Sequence, residues 1–379
     1  LRESDLSVIY IMIVMVSTIS GHRMTLFLGP IADPFWFATP ENDWRNMFWR
    51  LIPEWFTVRD ENVLRDFFLG DSSFFIPLYV KSWLGPLIYW SAFLFVLCFL
   101  LICINTVIRK QFTDRERLAY PITWLPLTMS QSPSVLLRNR LMWAGFGIAA
   151  GVGLLNGLKV FNPWLPAVPV GWETIVFHDK PWSCMGSIRI SFQPFVMGLS
   201  FFMPLDLAFS AWFFYFKKKA AQLSIGAVTG QRHFHFDEQA QGAWIGLGIL
   251  ALWIGRKHLT SVIKQAGAHQ IDSSRENVAY RFSFLGIAGC LLFFSLFAHK
   301  AGLSMWVILI FLGIYCCSAI GITKIRSGLG LPVHEILFLD PSRTMMTTMG
   351  SRALGPRNLT ILSFFYGLTR DQAGHPMPN

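Results

Sequence analysis

Charge is what this sequence has least of. Only 14% of its 379 residues are Asp, Glu, Lys or Arg, while 53% are hydrophobic and 15% aromatic. A soluble globule carries nearer a quarter charged residues, so the composition excludes an ordinary soluble domain and indicates a polytopic membrane protein. Cysteine is scarce as well. Of the six, Cys98, Cys103, Cys290, Cys316 and Cys317 sit inside apolar runs and Cys184 stands apart in a loop. Neither a disulfide framework nor a cysteine metal site can be assembled from them. No signal-peptide pattern precedes the first apolar run. The chain opens at Leu1 and ends HPMPN, and we expect an interior piece of a longer protein.

The net charge of +10 does not point to nucleic acid. Lysine and arginine stand in short clusters beside apolar runs, where a membrane protein keeps its cytoplasmic anchors. Apolar runs fall at Leu6–Ser20, continuing to Leu28, and at Leu84–Ile108, Leu141–Leu158, Phe195–Phe216, Ala243–Ile254, Phe282–Ala298 and Leu303–Ile322. A helix needs about 20 residues to cross the hydrocarbon core. The expectation is an all-α bundle, residues 1–379 as one integral-membrane domain, with about six to eight spans. Broken or re-entrant segments and short amphipathic interfacial helices complete it.

Orientation follows from the loops. Residues 109–140 hold six basic residues against Asp114 and Glu116 and are expected to be cytoplasmic, whereas residues 31–83 are acidic on balance and are expected outside. Alternation then puts Phe161–Pro194 outside and Lys217–Lys219 inside. Arg256–Arg281 also looks cytoplasmic, which favours re-entry of Ala243–Ile254, the other reading being an ordinary short helix. In the outer loop Trp44, Met47, Phe48 and Leu51 recur at helical spacing behind Asn42 or Asp43, an amphipathic interfacial helix. A second helix is expected from Asp60 to just before Gly70, with Val63, Leu64, Phe67 and Phe68 on its buried side.

The stretch FFMPLDLAFSAWFFYFKKK, Phe201–Lys219, carries the strongest site signal. A carboxylate in hydrocarbon costs about 2.5–3.5 kcal/mol even on insertion scales. Pro204 removes a backbone donor and breaks the helix, and Asp206 beside that break reads as a proton-binding or substrate-binding acid. Capping or pairing of the second half-helix is the structural alternative. Asn156 lies in a span with Gly145, Gly147, Gly151, Gly153 and Gly157, a pattern that lets helices approach closely; it is a secondary candidate for a polar cavity. Tyr120 and Pro121, in RERLAYPITWLPLTM, read as non-helical chain dipping toward the bilayer. KIRSGLGLPVHEILF is a comparable element, and the two resemble halves of an internal repeat. Asp33, Glu41 and Asp43 are alternative outer-face acids for acid–base or metal-assisted chemistry. The pair in HFHFDE lacks further ligands, so no metal and no cofactor are assigned.

At RERLAYP, FLGPIADPFWFATPENDW, FFMPLDLAFSAWFF, QGAWIGLGILALWIGRKHL and MGSRALGPRNLTIL the sequence resembles large bacterial inner-membrane proteins known as domains of unknown function. More distantly, Arg117, Leu118, Tyr120 and Pro121 are similar to a loop of oligopeptide transporters. That resemblance implies helices in pseudo-symmetric halves, proton coupling and a small peptide-like or chelate substrate. The expectation is therefore a multi-pass protein of the bacterial inner membrane, not an enzyme but a secondary transporter, with the lipid bilayer and a small polar solute as partners. The alternatives are a transferase acting on a lipid-linked substrate at the outer face and a non-catalytic membrane subunit.

Overall fold

The computed structural model describes residues 3–19, 22–70, 72–73, 75–230, 235–267, 275–330, 336 and 339–369. Helices follow one another as α1 (Glu3–Ile19), α2 (His22–Trp36), the short α3 (Trp44–Met47), α4 (Glu61–Leu69) and the long α5 (Pro77–Lys110). Next come α6 (Trp124–Gln131), α7 (Pro133–Arg138), α8 (Arg140–Phe161), α9 (Pro194–Ser200), α10 (Leu205–Thr229) and α11 (Phe236–Ile254). The rest are α12 (Arg256–Gly267), α13 (Arg275–Ala301), α14 (Met305–Leu329), α15 (Pro341–Met349) and α16 (Ser351–Thr369). The described strands are one antiparallel pair, β1 (Glu173–Ile175) on β2 (Ile188–Ile190), with Thr174 opposite Arg189. The protein is all-α.

Among the described residues, four helical stretches are long and apolar enough to cross a membrane: Pro77–Arg115, Arg140–Phe161, Asn277–Ala301 and Met305–Leu329. Two expected spans are not single helices. The first run is divided between α1 and α2, of 17 and 15 residues, each shorter than the roughly 20 a crossing needs. Phe195–Phe216 is divided between α9 and α10, because Pro204, extended at ψ 137°, has no N–H to continue the ladder. Ala243–Ile254 does not reverse within itself; it is continuous helix inside α11, which abuts α12 at Gly255.

The chain divides into two compact units. The larger comprises Met12–Arg117, Asp237–Lys324 and His334–Asn379. Its centre is aromatic. Phe93 of α5 stacks on Phe365 of α16 at 5.0 Å and meets Phe294 and Phe297 of α13 edge-on or tilted, each at 5.1 Å. Trp90, 2% exposed, packs on Phe93, Phe297 and Phe365 and donates its indole N–H to the Phe56 carbonyl at 3.0 Å. Helices here approach closely where glycine allows. A Cβ at Gly248 would lie 1.9 Å from the Cys317 carbonyl oxygen, and one at Gly321 would lie 2.8 Å from the Trp244 carbonyl oxygen, so α11 and α14 touch backbone to backbone.

The motif GPRN explains itself by packing. Gly355 (φ 74°, ψ 162°) interrupts α16, the Arg357 guanidinium lies over Gly302, and Asn358 takes the Ser304 N–H at 2.9 Å while donating to the Ser304 hydroxyl. Glu116, one of the acids in the basic stretch after α5, pairs with Lys324 at 2.8 Å. His258 Nε2 lies 3.1 Å from the Val107 carbonyl, so α12 begins beside the basic end of α5. In the collar, α4 follows the expected bounds: Asp60 accepts from the Asn62 and Val63 amides, and Gly70 (φ 80°) ends it. Val63 and Leu64 are buried, but Phe67 is 43% exposed. The helix expected behind Asp43 is only α3 followed by a 3-10 turn, Trp49–Leu51.

The smaller unit comprises Leu1–Ile11, Leu118–Phe236 and Ile325–Val333. Its α8 buries no residue, and nothing lies within 4 Å of a Cβ placed at Gly145, Gly147, Gly151, Gly153 or Gly157. The glycine pattern expected to pack against another helix has no helix against it in the described residues. A further expectation fails at Lys219, whose ammonium donates to the Met185 and Ser187 carbonyls at 3.0 and 2.8 Å. The 161–194 loop and the lysine cluster therefore meet, which does not fit an alternation that places them on opposite sides. Desolvation lowers the Lys219 pKa, with Lys218 adding to it.

A matched pair of substitutions tests which glycines carry packing. Gly248→Ala is expected to destabilise by about 3 kcal/mol, whereas Gly145→Ala is expected to leave stability unchanged or raise it by up to about 1 kcal/mol. Thermal unfolding in detergent reads both, and equal melting temperatures for the two variants would contradict the assignment.

Candidate functional site

In the smaller unit, three interruptions of regular helix meet. After α9 the backbone runs through Phe201–Pro204 before α10 begins at Leu205. Phe202 in that break stacks on Trp124 at 6.2 Å with ring planes 12° apart. Trp124 follows Tyr120 and Pro121, and Tyr120 takes a left-handed backbone, φ 46° and ψ 51°, costly for a residue with a side chain. Its amide donates to the Ser327 carbonyl at 2.8 Å, which holds the turn to the end of α14. Pro121 is buried, and a Cβ on Gly330 (φ +65°) would come within 2.6 Å of its own Cβ. Leu207, in the first turn of α10, packs where a Cβ on Gly328 would sit 3.3 Å away.

Asp206 lies in the first turn of α10, where a carboxylate is favoured by the helix dipole. Its side chain is not covered by protein, and no ion pair to it occurs among the described residues. Arg326 is buried nearby in sequence to Ser327, at 7% exposure. Asn156 is not open to a solute: its amide donates to the Val168 carbonyl and accepts from the Val168 N–H, both at 2.9 Å. It clasps the following loop to α8. Within the smaller unit the structure thus brings Pro204, Tyr120 and Pro121 to one junction, leaves Asp206 at its edge and gives Asn156 a structural task. His233 of HFHFDE and Pro332 lie outside the described residues.

The larger unit holds a second place of interest, a cavity of about 230 Å³. It is walled by Asp33 and the prolines of α2, by Trp44 and Phe48 beside α3, and by Thr360, Ser363 and Phe364 of α16. Asp33 is half-buried, and that burial raises its carboxyl pKa. The other two acids expected at the outer face, Glu41 and Asp43, do not line this cavity. Glu41 is exposed, its pKa lowered by the Thr39 hydroxyl and its own backbone N–H. Asp43 (φ 51°) precedes α3 and takes a hydrogen bond from Asn46. No group of three or more His, Cys, Asp or Glu placed to hold a metal occurs among the described residues.

A buried acid outside the sequence candidates is Asp340. It is 2% exposed, accepts the Arg343 N–H at 2.9 Å as the cap of α15, and receives the Thr369 hydroxyl at 3.2 Å. Burial raises its pKa more than these bonds lower it. The signal for it was DPSR, an acid before a proline at a helix start.

The fold is that of an all-helical chain with helices of membrane-spanning length. Over its whole length, residues 1–379, it matches the family described as Family of unknown function (DUF6785), and the chain belongs to that family. No curated protein and no solved structure matches it.

Two outcomes are expected at these places. Gly330→Ala forces a strained backbone and a clash with Pro121, so limited proteolysis with trypsin should cut faster after Arg117 than in the parent; an unchanged rate would show the turn is not held there. Asp33 has a raised pKa in the folded chain, so the native state binds its proton more tightly than the unfolded chain. Its contribution to stability is therefore best at acid pH and worsens as pH rises toward the raised value. Asp33→Asn is expected to raise the melting temperature at neutral pH and to lose that advantage in acid.

Proposed function

We propose that this protein is a secondary transporter of a small polar solute, peptide-like and proton-coupled, with about six to eight spans in a bacterial inner membrane. The observation that supports the reading best is the junction of the broken helix at Pro204 with the Tyr120–Pro121 turn and the end of α14. Non-helical backbone at membrane depth is tolerated only where protein or a water-filled cavity satisfies it. Transporters build solute sites from such half-helices. Asp206, at the head of α10 and uncovered, is the proton-responsive group in this reading. Tyr120 and Pro121 form part of a gate, because a strained turn held by the Ser327 carbonyl can be released by a small movement of α14.

The rival reading, a transferase working on a lipid-linked substrate at the outer face, draws on the cavity at Asp33. Of the three acids it calls for, only Asp33 lines that cavity, and among the described residues no second titratable side chain joins it there. Acid–base transfer ordinarily uses two such groups, which leaves the cavity better suited to binding than to chemistry.

Uptake of labelled dipeptides into proteoliposomes under an inward proton gradient tests the transport reading. Uptake in the parent and a loss of at least tenfold in Asp206→Asn are expected. Equal uptake by the two proteins would remove Asp206 from the mechanism, and no gradient-driven uptake of any small polar solute by the parent would remove the transport reading.

A further inference from the structure

We propose that the cavity at Asp33 binds a small organic cation, an ammonium group carrying a few carbons. This goes beyond the transport reading and does not rest on it.

The polar atoms of the cavity decide its preference. Thr360 spends its hydroxyl proton on the Pro356 carbonyl at 2.8 Å, and Ser363 spends its own on the Thr360 carbonyl at 2.7 Å. What these side chains retain for a ligand is lone pairs. Together with the Asp33 carboxylate they make a wall of acceptors, and the indole N–H of Trp44 is the one side-chain donor among the lining residues. A ligand that complements such a wall brings donors or positive charge. An anion would meet repulsion from Asp33 and almost nothing to hold it.

The remaining walls are aromatic. Trp44 and Phe48 lie 5.6 Å apart, their planes inclined at 46°, and Phe364 lines the same cavity. Aromatic faces attract cations by their quadrupole, and aromatic cages of this make-up hold ammonium groups. A bare metal ion is less well served, because hard cations take six or more oxygen ligands and this cavity offers one carboxylate and two hydroxyls. Size points the same way, since about 230 Å³ is below the roughly 300 Å³ at which pockets for drug-sized ligands begin.

Among the described residues the carboxylate also lacks an internal counter-ion. Of the four arginines in residues 31–83, Arg50 is exposed, Arg65 pairs with Asp66 at 3.5 Å, and the other two are engaged elsewhere. Arg59 donates to the Ile52 carbonyl at 2.7 Å, pairs with Glu54 and lies over Phe35. Arg45 lies over Trp49 at 4.8 Å. Burial that raises the Asp33 pKa without a paired cation is a cost that an incoming ammonium offsets.

Such a group reaches the cavity either on a free amine or on the headgroup of phosphatidylethanolamine, and one experiment separates them. The full chain in phosphatidylglycerol nanodiscs is titrated with choline, with ethylammonium and with the neutral choline isostere 3,3-dimethylbutan-1-ol, reading tryptophan fluorescence. A saturable change with a cation is expected, at least tenfold weaker with the isostere. Asp33→Asn should lower cation affinity at least tenfold. Should that variant fold poorly, Phe48→Leu should weaken the cation and leave the isostere unchanged. In phosphatidylethanolamine nanodiscs, loss of the free-cation response identifies the lipid headgroup as occupant, and its retention identifies a free amine; either result upholds an ammonium site. Equal binding of choline and its isostere, or no saturable change with either cation in phosphatidylglycerol, would overturn the proposal. Because the readout is binding, it stands whether or not dipeptide uptake is observed.

Discussion

The larger unit depends on one dry contact, the meeting of Phe93 and Trp90 on α5 with Phe294 and Phe297 on α13 and Phe365 on α16. Within a bilayer the lipid tails are as apolar as the side chains, so expulsion of water gives little reason for helices to associate. Shape and dispersion must supply it, and rings that interlock at about 5 Å do so over a large area. This contact fixes the register of α16. Phe364, next to Phe365, packs on Phe56 and Trp90 and lines the cavity at Asp33, so that wall of the cavity is held by the aromatic centre.

A second constraint is polar. Trp90 is buried and must place its indole N–H; it does so on the Phe56 carbonyl, which anchors the collar to α5. Asn358 makes a similar tie at the turn before α14. These bonds use backbone groups that have no helical partner, so each satisfies two orphans at once. Asp33 is the exception, a half-buried carboxylate without an ion pair in the surroundings described. Sites that give up stability in this manner are commonly those where something binds.

Much of the helical content was legible in the sequence, and the reasons are local. Asp60 and Gly70 bracket α4 because an oxygen on a short side chain and a residue without Cβ do what few others can at a helix end. Pro204 broke its helix for a reason equally local. Tertiary matters were less legible. The glycines of α8 carry a packing pattern but meet nothing among the described residues, while Gly248 and Gly321 do the packing from α11 and α14, whose glycines raised no expectation. The cavity at Asp33 joins residues more than 300 positions apart, and no periodicity records such a meeting. Asn156 had the right residue type for a cavity, yet the loop that returns to claim its amide is invisible from its own span.

Lys219 carries a lesson for counting. Two of its three ammonium protons go to carbonyls of a neighbouring loop, which ties the group to that loop and leaves one proton over. Lys217 and Lys218 remain, each laid over an aromatic face, of Phe214 and Phe236. A topology tally that credits this triplet with three freely placed anchoring charges overlooks that one of them is tied to a loop.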